Sequence, residues 1–175
     1  MPITAKQSED FDAYARNPET WVLAARRSLA VAELLTRHLN ALRNAANRDF
    51  FELSGCYYAS YFHAGVAVEN ASKAVLVSRD PTIVSNGTLN VKKFGSWSGH
   101  ALLDPLQSIL GSLTDEERRY VMKLEEFVWA GRYTVPTKAD VLYDEEKMNN
   151  VRLSTPEEMN ILKSLVERLI KCISK

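Results

Sequence analysis

Tyr57-Tyr58-Ala59-Ser60-Tyr61-Phe62-His63-Ala64-Gly65-Val66-Ala67-Val68-Glu69-Asn70-Ala71-Ser72-Lys73-Ala74-Val75-Leu76-Val77 is the stretch whose reading decides the fold. It is rich in alanine and larger apolar residues and holds no proline, which predicts one long helix. Its apolar residues are not confined to a single stripe. Tyr58, Phe62 and Val66 fall along one side with Lys73, while Tyr61, Ala64, Val68, Ala71 and Val75 fall along the opposite one. A helix apolar nearly all round is expected to be surrounded by other helices. Its polar residues, His63, Glu69, Asn70 and Lys73, therefore stand where polarity is either costly or used.

Outward from this centre the chain punctuates itself into further helices. Upstream, residues 1–16 read as a loose or short helical lead-in. Asn17-Pro18-Glu19-Thr20 then reads as a helix start, with Asn17 as cap, Pro18 in the first turn and Glu19 favourable to the dipole. Trp21, Ala25, Ser28, Ala32, Leu35, Leu39 and Leu42 follow at alternating spacings of four and three, a strong helical stripe. Arg26, Arg27, Arg37, Arg43 and Arg48 outnumber Glu19 and Glu33 there and give a basic outer face, either solvated or facing an anionic partner. Residues 44–55, with Asn47, Asp49 and Gly55, should include the turn into the central helix. Beyond Val77, Pro81 disfavours a helical Asp80 and stops that helix.

Residues 82–99, with Asn86-Gly87, Gly95 and Gly99, form a connection long for a compact bundle. A third helix is expected from His100 to about Leu110, with Pro105 either confining its regular part or sitting in its first turn. Thr114-Asp115-Glu116-Glu117 is a capping-box start for a fourth, with Tyr120, Leu124, Phe127 and Val128 as its buried face and an end near Gly131. Residues 132–153 read as an irregular excursion. A second capping box, Thr155-Pro156-Glu157-Glu158, opens the last helix, where Met159, Leu162, Val166, Leu169 and Ile173 repeat at three and four. The expected fold is all-α, one domain over residues 1–175 built as an antiparallel up-and-down bundle of about five helices.

Composition bounds the function. The 22 basic and 22 acidic residues cancel, so the overall basic excess of a generic nucleic-acid binder is missing. Cys56 and Cys172 lie far apart with no metal-type spacing, and a reduced cytosolic pair is expected. The start, Met1-Pro2-Ile3-Thr4-Ala5-Lys6, lacks the apolar core of a signal peptide, and no run reaches the ~18 apolar residues of a membrane span. A cytoplasmic protein without membrane attachment follows as the expectation. The sequence holds no glycine-rich phosphate loop, no His-Glu-x-x-His helix and no CxxC pair, and neither a metal nor a cofactor is expected.

Glu69 and Lys73 are four apart with the acid first, the favourable order for an intrahelical ion pair. Such a pair contributes only about 0.3–0.5 kcal/mol on a surface, but an unpaired buried charge costs several kcal/mol. Two readings stay open: the pair bonds internally and to a neighbouring helix, or it lines a cleft. His63 is likewise either a packing or a catalytic histidine.

Phe62-His63-Ala64, Ala67, Glu69 and Lys73-Ala74 resemble the central-helix signature of the HEPN family (higher eukaryotes and prokaryotes nucleotide-binding), Tyr-Phe-His-Ala followed by Ala-x-Glu and Lys-Ala. Ser28-Leu29 with Ala32-Glu33-Leu34-Leu35 resembles its first-helix pattern, and His100-Ala101-Leu102 its His-x-Leu. Arg132-Tyr133, or Pro136-Thr137-Lys138, resembles its Pro-Thr-Arg-Tyr-Pro segment. Gly65 and Val66 stand where a glutamine pair is common, and Asn70 where a lysine is. No arginine precedes a histidine by the four to six residues that mark the ribonucleases of the family.

The resemblance implies a non-catalytic helical binding and assembly domain. It implies a homodimer, a nucleotide or RNA as ligand, and a minimal nucleotidyltransferase or a defence or toxin-antitoxin protein as partner. The ligand-binding candidates are Tyr61, His63, Glu69, Lys73, His100, Arg132, Tyr133 and Lys138. Lys73, Arg132 and Lys138 would meet phosphates and Tyr61 or Tyr133 would stack on a base. Two alternatives remain: an RNA-cleaving toxin using His63 or His100 as general base, and a purely structural homodimeric interaction protein.

Overall fold

A computed structural model describes residues 3–47, 49–90, 101–130 and 156–173. Six α-helices are present among them: α1 (Ala5–Ala15), α2 (Pro18–Arg43), α3 (Phe50–Arg79), α4 (Leu103–Leu110), α5 (Asp115–Ala130) and α6 (Pro156–Lys171). Between α3 and α4 lie a short 3-10 turn, Pro81–Ile83, and a small hairpin of β1 (Val84–Ser85) and β2 (Thr88–Leu89). The fold is an all-α bundle, as the sequence periodicity predicts. No helix among the described residues is long and apolar enough to cross a membrane.

The central helix is longer than its apolar run. Asp49 caps it, its carboxylate accepting from the backbone N–H of Phe51 (2.8 Å) and Glu52 (3.1 Å). The turn expected over 44–55 is therefore confined to the residues before Phe50, and Gly55 lies inside the helix. A good N-cap and an acidic first turn outweigh the roughly 1 kcal/mol that one interior glycine costs. At the other end Asp80 is extended, as Pro81 requires, and its side chain caps the 3-10 turn through Thr82 N–H (2.9 Å).

Helix α3 packs along α2 and against α5 and α6. Tyr61, Ala64, Val68, Ala71 and Val75 are buried, joined in the core by Ala32 and Leu39 of α2, Val121 and Leu124 of α5, and Leu162, Leu165 and Leu169 of α6. Among the described residues, no helix encloses the opposite side of α3 completely. Tyr58 is 54% exposed, and Phe62, Val66, Asn70 and Lys73 are half-buried, so the described helices cover α3 on most of its circumference but not all of it.

The lead-in is ordered as α1, opened by a capping box between Thr4 and Gln7. Its Asp12 carboxylate accepts from the backbone N–H of Asn86 (3.0 Å) and Gly87 (2.9 Å). Those two residues have φ of 53° and 71°, the paired positive values of a tight type I′ hairpin. Arg16 adds a bond from Nε to the Val84 carbonyl (3.0 Å). The hairpin was not expected, because each strand is only two residues long and no alternation can register.

At the far side, Pro105 sits in the first turn of α4. That helix begins at Leu103; His100, the expected start, lies outside the described residues. Its N-terminus is capped from another element: the Glu125 carboxylate of α5 accepts from the N–H of Leu102 (2.5 Å) and Leu103 (2.6 Å). The Thr114/Glu117 capping box forms at the start of α5, and Glu117 also binds Arg168 of α6. The expected excursion over 132–153 lies outside the described residues.

Candidate functional site

Two separate polar clusters involve α3, one of which its sequence nominates. The first is the Glu69–Lys73 pair. Lys73 Nζ donates to Glu69 Oε1 at 2.5 Å, with the two side chains only 19% and 11% exposed. The i,i+4 spacing makes the pair local, and α2 supplies the roof: the Lys73 ammonium lies 5.3 Å from the centroid of the Trp21 ring. Trp21 is itself fixed by donating from Nε1 to the Ala15 carbonyl at 2.8 Å. The pair thus bonds internally and to a neighbouring helix.

The second cluster gathers round Tyr61, which is 2% exposed. Its hydroxyl donates to Glu158 Oε2 of α6 (2.5 Å) and accepts from Lys123 Nζ of α5 (2.8 Å), while Lys123 also bonds Glu158 Oε1 (3.0 Å). Three helices are tied by three mutually bonded side chains. Lys123 is 5% exposed, and burial pushes its pKa down, opposed by the Glu158 hydrogen bond and charge. Around the triad stand Tyr57, Tyr120 and Phe127, with Phe127 stacked on the Tyr61 ring at 4.6 Å. Burial first, and the Glu158 charge second, push the Tyr57 and Tyr120 phenols up, so both stay neutral. A base has no open face of Tyr61 to stack on.

His63 belongs to neither cluster. It is half-buried, its ring set edge-on to Phe62 at 5.4 Å, and its Nδ1 is buried without a hydrogen-bond partner. Burial lowers its pKa, which holds the imidazole neutral near pH 7. Of the sequence-nominated candidates among the described residues, then, only Glu69 and Lys73 are brought together. His100, Arg132, Tyr133 and Lys138 lie outside the described residues. Among the described residues no group of three or more His, Cys, Asp or Glu could hold a metal. Cys56 and Cys172 are free thiols, both half-buried against the core.

Lys123 and Glu158 escaped sequence reasoning, though the signal for one of them was there. Lys123 sits three residues after Tyr120 and four before Phe127, on the stripe that α5 buries. Glu158 looked like an ordinary first-turn acid of α6, and nothing local announces its partner on α5.

The surface around these clusters is apolar and basic by turns. Phe50 and Phe51 are 74% and 84% exposed at the start of α3, with Tyr58 two turns on. Arg26, Arg27 and Arg37 are exposed on α2. No protein-family model matches the chain, and comparison with curated proteins and with solved structures gives no significant match.

Proposed function

We propose that the chain is a HEPN-like helical binding and assembly domain without catalysis of its own. It self-associates as a homodimer, takes a nucleotide or RNA as ligand, and serves a partner such as a minimal nucleotidyltransferase or a defence protein. The observation that carries this reading is the aromatic end of α3. Phe50 and Phe51 stand largely in solvent, with Tyr58 half out of the core beside them, an exposed aromatic surface of the kind that another surface covers. The polar groups of α3 support the non-catalytic part of that reading alone, because Tyr61, Glu69 and Lys73 are each engaged within the bundle rather than turned toward a reacting molecule.

Light scattering on the full chain tests the assembly, with thermal-shift titration of nucleotides and short RNAs beside it. A dimer lost in a Phe50→Ser/Phe51→Ser variant and a melting shift with ligand are expected. A monomer at high concentration with no shift at millimolar ligand refutes the proposal. One observation favours a second reading, RNA cleavage with His63 as general base: the half-buried ring beside Phe62 has an Nδ1 that no hydrogen bond occupies. Cleavage of transfer RNA that disappears in His63→Ala would establish it, and cleavage unchanged by that substitution would remove it.

A further inference from the structure

Helix α2 carries two rows of residues with heptad spacing, and the fold accounts for only one. The inner row begins at Trp21 and runs through Ala25, Ala32 and Leu39 into the core. The outer row is Leu23, Arg27, Ala30, Leu34, Arg37 and Ala41, spaced four and three alternately on the other side of the helix. All six are exposed, Leu23 at 49% and Leu34 at 58%, on a helix of 26 residues without a break. Four of the six positions on this heptad row are apolar, and a row of that kind is the seam by which one helix packs on another.

The two arginines decide what can lie on that seam. A second copy running parallel and in register would set Arg27 on Arg27 and Arg37 on Arg37. A second copy running antiparallel over the same six positions pairs Leu23 with Ala41, Ala30 with Leu34, and Arg27 with Arg37. Both symmetric arrangements press guanidinium against guanidinium at the moment water is excluded. A helix with carboxylates at seam positions ten residues apart meets both arginines, in either direction, and its apolar residues cover the leucines. A phosphate backbone would satisfy the arginines but leave Leu23, Ala30, Leu34 and Ala41 facing a polar strand, so the row favours protein over nucleic acid.

We propose that the outer row of α2 is a docking seam for a helix of a different protein, one with an apolar heptad row interrupted by two acidic residues ten positions apart. This rests on the reading of the chain as a binding domain only in part, since the aromatic end of α3 is a separate surface with a separate test.

Two labelled synthetic helices of about three heptads each probe the seam on the full chain by fluorescence anisotropy. One carries glutamate at two row positions ten apart, the other lysine at the same positions, and a short RNA duplex is the third probe. The glutamate helix should bind at least about tenfold tighter than the lysine helix, and an Arg27→Glu/Arg37→Glu variant should reverse that order. Both arginines are exposed, so this variant should melt with the wild type. Equal affinity for the two helices overturns the proposal. So does tighter binding of the RNA duplex that the same variant abolishes, or a homodimer that Leu34→Lys dissociates while Phe50→Ser/Phe51→Ser does not. Failure of the aromatic-end dimer and of nucleotide binding leaves the peptide discrimination unaffected.

Discussion

Two glycines of the central helix should respond in opposite directions to the same substitution. Gly65 lies where α3 crosses α5. A Cβ added there would sit 2.1 Å from Val128 Cγ2 and 3.3 Å from the Leu124 carbonyl oxygen. Val128 is 1% exposed and β-branched, so its χ1 has one good well in a helix, and the carbonyl belongs to the α5 backbone. Neither neighbour can yield cheaply, and the two helices must separate locally. Overpacking of this kind costs about 1–3 kcal/mol, and alanine's better helix propensity returns about 1 kcal/mol. Since a backbone atom is among those met, Gly65→Ala should lose about 2 kcal/mol net. Gly55 is also mid-helix, but it is exposed and nothing lies within 4 Å of the added Cβ. Gly55→Ala should therefore gain about 0.5–1 kcal/mol from propensity alone. Urea unfolding followed by far-ultraviolet circular dichroism separates the two, and at this chain length each kcal/mol moves the melting temperature by about 2–4 °C. In a cycle with Val128→Ala, the Gly65→Ala cost should shrink by at least about 1 kcal/mol, because the alanine vacates the contested volume. A Gly65→Ala protein as stable as wild type, or stabilised like Gly55→Ala, would refute the close crossing of α3 and α5.

Removing the ammonium of the triad, Lys123→Met, leaves the Glu158 carboxylate without its buried cation and should cost about 2–4 kcal/mol, discounted for the 21% exposure of the Glu158 side chain. Adding Glu158→Gln keeps an acceptor for the Tyr61 hydroxyl and should recover more than half of that loss in equilibrium unfolding. For His63 the folded pKa is depressed below its ordinary 6.5 by burial, so below 6.5 the unfolded chain takes up a proton before the folded one does. Stability should fall as pH drops from 6.5 through the folded pKa, and His63→Gln should flatten that slope; an unchanged slope counts against the buried imidazole. Asp12→Ala deprives two hairpin N–H groups of their acceptor, and amide exchange at Asn86 and Gly87 should accelerate in proportion to a local loss of about 1–3 kcal/mol while α5 and α6 stay protected.

What the sequence made legible is what local geometry encodes. The stripe from Trp21 to Leu42, the Thr114–Glu117 box and the Glu69–Lys73 pair all lie within a few residues of their partners along the chain, and each appears where its spacing puts it. The misses are non-local. Asp12 meets a hairpin 74 and 75 residues away, and Lys123 meets Glu158 across 35 and Tyr61 across 62. No periodicity reports such distances. The extra two turns of α3 were hidden differently, by Gly55, whose propensity penalty is real but smaller than what the Asp49 cap and packing on α2 supply.

The same distinction bears on where function can reside. Glu69, Lys73 and Tyr61 looked conspicuous because polarity on an apolar helix has to be explained, and the bundle explains it: each is bonded to a neighbour that holds two or three helices in register. The outer row of α2 is in the reverse position. Its arginines belong to the basic face that the sequence leaves either solvated or facing an anionic partner, and all six of its residues stay exposed. Leu23 and Leu34 lie outside the core, and with Ala30 and Ala41 they form one apolar row on an exposed side of the helix. Pattern that folding consumes is spent on stability; pattern left over on a rigid exposed helix is available for recognition, and on this chain the leftover pattern is the seam that Arg27 and Arg37 interrupt.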